Sequence, residues 1–164
     1  MAKRFEYTEE LAHPVDRVHG TLTDQLFWEK RFERAPDKIT IDGSRGPGTL
    51  TTSMRDTIGT DSLPGLVKKV VRGELRVERI DEWDVLEIDQ ARGRIRGSST
   101  GIPVRIECTS LLRASGTATV LTVTGSVEVK IPLVGGQIES LVRKLVGDMV
   151  AQDREAVEKW LDEI

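Results

Sequence analysis

The chain reads as an α+β protein in which a long C-terminal helix lies across a curved antiparallel sheet and helps to enclose an apolar cavity. Three observations carry that reading. The period of the apolar residues is two over most of residues 38–131. It changes to helical spacing over 137–162. Short turn signals separate the strands, which implies a meander rather than parallel crossovers.

Residues 3–11 alternate, with Phe5, Tyr7 and Glu9 on one side of a first strand. His13-Pro14 ends it, because the residue before proline prefers an extended backbone, and Pro14 can then sit in the first turn of a helix. Val15, Val18 and Leu22 follow at helical spacing. Asp24 is the expected N-cap of a second short helix with Phe27, Trp28 and Phe32 on its apolar side. Ile39 and Ile41 begin the β pattern, and Asp42-Gly43 and Gly46-Pro47-Gly48 supply turns. Leu50, Thr52, Met54, Asp56 and Ile58 then share one strand face.

Residues 62–71 interrupt the strands. Ser62 is the expected N-cap and Pro64 falls in the first turn of an amphipathic helix carrying Leu63, Leu66, Val67, Val70 and Val71. Lys68, Lys69 and Arg72 fall on its other side, where they could touch an anionic membrane surface. The segment is either the lip of the cavity or a patch on one end of the sheet. After Gly73, Leu75 and Val77 are in phase with Trp83 and Val85, but Arg79 and Asp81 fall on the same face. Either a bulge shifts the register there or that face carries polar groups.

Arg92-Gly93 reads as a turn before a short strand at 94–98. Ile102, Val104, Ile106 and Cys108 alternate, Ser115-Gly116 suits a hairpin, and Thr119 to Ile131 form a strand too long to stay flat, with its bend expected at Gly125. Pro132 and Gly135-Gly136 lead into the last helix, whose stripe runs Ile138, Leu141, Val142, Leu145, Val146, Met149, Val150, Val157, Trp160 and Leu161. Glu139 is expected in its first turn, where it complements the helix dipole. Nothing in the 164 residues reads as a linker or repeat, so one domain over 1–164 is expected.

Leu11-Ala12-His13-Pro14-Val15-Asp16-Arg17-Val18, running into Leu22-Thr23-Asp24 and Phe27-Trp28, resembles the opening of START-like (SRPBCC) proteins. Ile131 to Glu139 and the helix ending Lys159-Trp160-Leu161 resemble their close. The resemblance spans essentially the whole chain. It implies the helix-grip fold of the pollen-allergen, polyketide-cyclase and lipid-transfer relatives, and more narrowly an actinobacterial family of uncharacterised START-like proteins. Neither matching stretch holds a catalytic residue.

Composition narrows the chemistry. Charged residues make up 31% of the chain and the net charge is −3, unlike a globally basic nucleic-acid binder. No apolar run reaches membrane-spanning length, the N-terminus lacks the apolar core of a signal peptide, and Cys108 is the single cysteine; a cytoplasmic location is expected. His13 and His19 are not at metal-ligand spacing, so neither a metal nor a cofactor is expected. The glycine-rich stretch 43–48 lacks a P-loop lysine, and Gly135-Gly136 reads as a turn more readily than as an anion site. Cys108 reads as a buried, inert thiol, and Ser110 has no histidine beside it.

The reading is therefore binding or carriage of a small hydrophobic, lipid-like or polyketide-like ligand. Met54, Leu66, Val70, Trp83, Ile106, Val123, Leu141, Leu145 and Met149 are the expected cavity wall. Asp56, Arg79, Asp81 and Gln152 are the candidate polar groups inside it. One alternative is a cyclase or dehydratase using Asp56 or Asp81 as an acid. Another is a partner-regulating module with a vestigial cavity.

Overall fold

A computed structural model describes residues 2–59, 61, 63–71 and 73–164. The order is β1 (Lys3–Leu11), α1 (Val15–Leu22), α2 (Gln25–Arg31), a 3-10 turn (Pro36–Lys38), β2 (Ile39–Asp42), β3 (Leu50–Ile58), α3 (Gly65–Lys68), β4 (Leu75–Trp83), β5 (Gln90–Thr100), β6 (Val104–Ser115), β7 (Ala118–Val129) and α4 (Gly135–Asp162). The strands form a seven-stranded antiparallel sheet in the order β1-β7-β6-β5-β4-β3-β2, so the chain returns at β7 to pair with its own first strand. At 1.5 Å per residue α4 is about 42 Å long. It packs across the inner face, chiefly on β1, β7 and α1. This is the helix-grip α+β fold.

Local chemistry explains the elements. The Asp24 carboxylate accepts from the Leu26 N–H and caps α2, satisfying a donor that has no partner within the helix. Pro14 is the N-cap of α1 instead of a residue within its first turn. The expected helix at 62–71 is a single turn, Gly65–Lys68, after an extended Pro64; Ser62 and Arg72 lie outside the described residues. Its neighbours Leu63, Leu66, Val70 and Val71 still pack on the core.

Two strand expectations are corrected. β4 pairs residue for residue with β3 from Leu75 to Trp83 and with β5 from Arg76 to Trp83. There is no bulge, so the inner face itself carries Arg79 and Asp81. Arg92-Gly93 is not a turn but the interior of β5. Gly93 is needed because the Trp83 indole lies on it: a Cβ there would stand 2.9 Å from the ring. The turn comes earlier, before Gln90, and includes Ile88 at φ 57°.

Gly125 has a similar reason. It pairs with Phe5 on one side and Cys108 on the other. A Cβ there would lie 2.2 Å from the Glu107 carbonyl oxygen. The long strand is therefore drawn against β6 at this point.

The core runs along the inner face, where Leu11, Val18, Leu112, Val123 and Val127 are fully buried. Each such side chain contributes about 1.5–3 kcal/mol. The second half of α4 is fixed firmly. Val150, Val157 and Leu161 are buried, and Trp160 meets Phe27 edge-on at 5.6 Å. Glu158 accepts from the Ala12 N–H, Arg154 donates to the Glu10 carbonyl, and Asp162 pairs with His13. The first half is looser. Ile138 and Val146 are buried, but Leu141, Val142 and Met149 are half-buried and Leu145 is 56% exposed. Tyr7 donates a hydrogen bond to the Arg143 carbonyl at mid-helix, and Gly147 permits this, since a Cβ there would come within 2.8 Å of the Tyr7 ring. Because α4 starts at Gly135, Glu139 falls beyond its first turn, contrary to expectation, and is buried near Lys3.

Gly125→Ala is expected to destabilise the protein by roughly 3 kcal/mol, because backbone and not a flexible side chain must move. Gly97→Ala, where the added methyl makes only ordinary contacts at 3.5 Å, should cost under about 1 kcal/mol. Urea denaturation of the two variants tests the contrast; equal losses would contradict it.

Candidate ligand-binding site

Strand register sorts the inner face into rows. One row crosses the sheet as Phe5, Gly125, Cys108, Ile95, Asp81, Thr52 and Ile41. The next holds Val127, Ile106, Gly97, Arg79 and Met54. In the row on the other side Ser110 stands between Val123 and Gly93. Arg79, Asp81 and Ser110 thus point into the fold beside apolar neighbours.

The charges there are interlocked. Arg79 Nε and Nη2 donate to Asp81 Oδ1 and Oδ2 at 2.8 and 2.5 Å. Nη2 also donates to Asp153 Oδ2 of α4 at 2.6 Å. Arg31 Nη1 of α2 donates to Asp153 Oδ1 at 2.7 Å, and its guanidinium stands 5.4 Å over the Trp28 ring. Two arginines and two aspartates balance in charge, as a buried cluster requires.

The environment separates the two acids. Burial pushes the Asp81 carboxyl above the ordinary range, and the pull of Arg79 does not fully offset it. Burial also opposes ionisation of Asp153, but Arg79 and Arg31 together outweigh it and hold that carboxyl below the ordinary range. Burial likewise works against the Arg79 charge, yet Asp153 and Asp81 keep it firmly protonated. Cys108 is pushed up to about 12, first by burial and then by the Asp81 charge, so it stays a neutral thiol.

Beside this cluster lies a void of about 20 Å³, lined by Arg79, Asp81, Ser110 and Asp153 on its polar side and by Trp83, Val123 and other apolar residues elsewhere. That volume holds about one water molecule. Among the described residues, Trp83, Leu112, Leu121 and Val150 line this void closely and keep it small. Among the described residues Ser110 Oγ, buried against the void, has no hydrogen-bond partner, and neither has Thr52 Oγ1 elsewhere on the inner face.

The other sequence candidates fall in two groups. Met54, Leu66, Val70, Ile106, Leu141 and Met149 are half-buried. Met54 and Ile106 share the inner-face row of Arg79. Val142, Val146 and Met149 lie on the α4 stripe that leads to Asp153, at helical spacing. These residues are apolar and only partly covered, apart from the buried Val146. Three candidates lie elsewhere. Asp56 pairs with Lys38 at 2.9 Å at the surface, since β3 runs beyond the cover of α4 there. Gln152 and Leu145 are exposed because they lie one residue off the packed stripe. Lys68 and Lys69 are exposed. His19 is buried, with its ring nitrogen 2.8 Å from the Asp84 carbonyl.

A second depression, of about 510 Å³, opens to solvent at the entry to α4 beside Gly135 and Gly136. The buried Glu139 carboxylate on its wall opposes an anion there. Among the described residues no group of three or more His, Cys, Asp or Glu side chains could hold a metal ion, and no helix is long and apolar enough to cross a membrane.

Residues 6–161 match the profile of the family described as Protein of unknown function (DUF2505). The chain belongs to this family. An uncharacterised protein of Mycobacterium tuberculosis is 26% identical to this DUF2505 protein over 172 aligned residues, covering 98% of both. Among solved structures, the Zhui aromatase/cyclase of a Streptomyces strain superposes with a TM-score of 0.61 at 15% identity, over 99% of this chain and 94% of that one. Ara h 8.0201 superposes with a TM-score of 0.56 at 12% identity over the whole of both chains. At such identities these likenesses concern the fold, which is START-like.

No local sequence pattern marks Arg31 or Asp153 as part of the cluster, and Ser110 stands out only as a hydroxyl without a histidine beside it. The available signal was Asp153 itself, a carboxylate four residues beyond Met149 and four before Val157 on an apolar stripe.

Asp153→Asn should cost about 3–5 kcal/mol at neutral pH, since it leaves Arg31 and Arg79 with too little negative charge. Because the folded-state pKa of Asp153 is depressed, its contribution is present above the ordinary carboxylate value and lost as pH falls through the folded value. Asp81 acts in the opposite sense, its raised pKa favouring the protonated fold at low pH. Stability measured against pH should therefore fall in acid for the parent and less steeply for Asp153→Asn; parallel curves would refute this assignment.

Proposed function

We propose that this DUF2505 protein binds a small, largely apolar molecule on the inner face of its sheet, beneath the first half of α4. The observation that carries the reading is a balanced set of largely covered charges, with Asp81 fully buried, on the inner face beside half-buried apolar residues. Such a cluster adds little net stability, because desolvation offsets most of its attraction. Convergent polar groups beside aliphatic walls are what a ligand site needs for orientation and affinity. The loosely packed half of α4, with Val142 and Met149, would yield to admit the ligand. Met54 and Met149 would adapt to its shape. A neighbour of the same fold is an aromatase/cyclase, which is compatible with such an interior but assigns no substrate here.

Acid–base chemistry at Asp81 is the second reading, favoured by its burial and raised pKa. Against it, both carboxylate oxygens already accept from Arg79. That geometry suits a fixed orienting group better than a proton donor. Carboxyl-carbon NMR decides: the acid reading expects Asp81 to titrate well above about 3.9, and titration at or below that value removes it.

Native mass spectrometry on protein purified without denaturation should reveal a bound small molecule. Val142→Arg, which puts a charge on the proposed wall, should reduce occupancy about tenfold, as expected for a penalty near 1.4 kcal/mol. No adduct, together with no saturable uptake of apolar probes, would overturn the binding reading.

A further inference from the structure

We infer that the polar end of the ligand is a neutral oxygen, a hydroxyl or a carbonyl, received by the Ser110 hydroxyl, and that carboxylates and phosphates are rejected. The inference rests on the binding reading above and adds the chemical class. Three observations support it.

The first is charge. Arg31, Arg79, Asp81 and Asp153 already sum to zero, and each ionic group has an opposite partner within 2.8 Å. A ligand carboxylate would add an unmatched negative charge beside the buried Asp81 and the largely covered Asp153, where low dielectric amplifies repulsion. A ligand cation would meet Arg79 in the same way. Only a neutral group leaves the balance intact.

The second is the orphaned hydroxyl. Ser110 is 1% exposed and its Oγ has no partner among the described residues, although it lines the same void as Arg79 and Asp81. An unpaired buried hydroxyl costs about 1–3 kcal/mol. A serine can both donate and accept, so it matches an alcohol or a ketone equally well. Its neighbours across the sheet are Val123 and Gly93, and Gly93 places no side chain beside it.

The third is size. A void of about 20 Å³, room for about one water molecule, matches a single oxygen atom. The ligand's apolar body would lie toward Met54, Ile106 and Met149, outside this polar end.

The test compares 1-decanol with decanoate by isothermal titration at about pH 8, where decanoate is ionised. Decanol is expected to bind at least tenfold more tightly. Ser110→Ala deletes an unpaired hydroxyl and should fold as well as the parent, which thermal unfolding checks. It should weaken decanol about fivefold or more and leave decanoate unchanged. Decanoate binding as tightly as decanol, or an unchanged preference in Ser110→Ala, would overturn this inference while leaving the binding reading intact. Absence of heat with either probe, in a protein that also takes up no other apolar probe, would overturn both.

Discussion

Arg79 is the constraint on which the rest of the interior depends. Its guanidinium binds a carboxylate on its own strand and another on α4, and the latter is shared with Arg31 of α2. Three elements far apart in the chain are thereby held at one point. The bond directions of a planar guanidinium are fixed, so the helix cannot slide along the sheet without breaking one of them. The uninterrupted pairing of β4 with both neighbours follows the same need, since a one-residue slip would turn Arg79 and Asp81 out into solvent. The cost is an inner face that is not uniformly apolar. That cost is unusual for a core and ordinary for a site.

The packing around Arg79 divides α4 into unlike halves. Beyond Asp153 the helix is pinned by Val157, Leu161, Trp160 and a set of polar ties to β1 and the start of α1. Before it, the stripe is only half-covered. A START-like fold therefore appears here with one end closed as a core and the other as an unfinished contact. Fold alone does not assign a reaction. The argument for binding comes from the residues at the boundary between the two halves.

Much of the fold was legible because local signals agreed with the global one. Asp24 as a cap, the alternation in β3 and β6, and the stripe of α4 each report one element's burial. The site was less legible, since its members come from α2, β4, β6 and α4 and no local pattern joins them. Arg79 and Asp81 were visible as breaks in alternation, but sequence could not tell a bulge from a polar face. Gly93 misled because glycine marks both turns and close packing, and the ring that lies on it is ten residues away. Asp56 misled because strand parity fixes a face but not how far the covering helix extends. Leu145 and Gln152 misled because one residue along a helix turns a side chain by about 100°.

Two aromatic rings in this protein lie against bare backbone, Trp83 on Gly93 and Tyr7 on Gly147. Each glycine acts as a spacer of zero thickness. A methyl group at Gly147 would lift α4 from the edge strand, and one at Gly93 would tilt the indole toward the helix. The distance between helix and sheet is thus governed by positions that contribute no side chain to the interior. Homologues can therefore change the capacity of this fold by single methyl groups while every residue facing the interior stays the same.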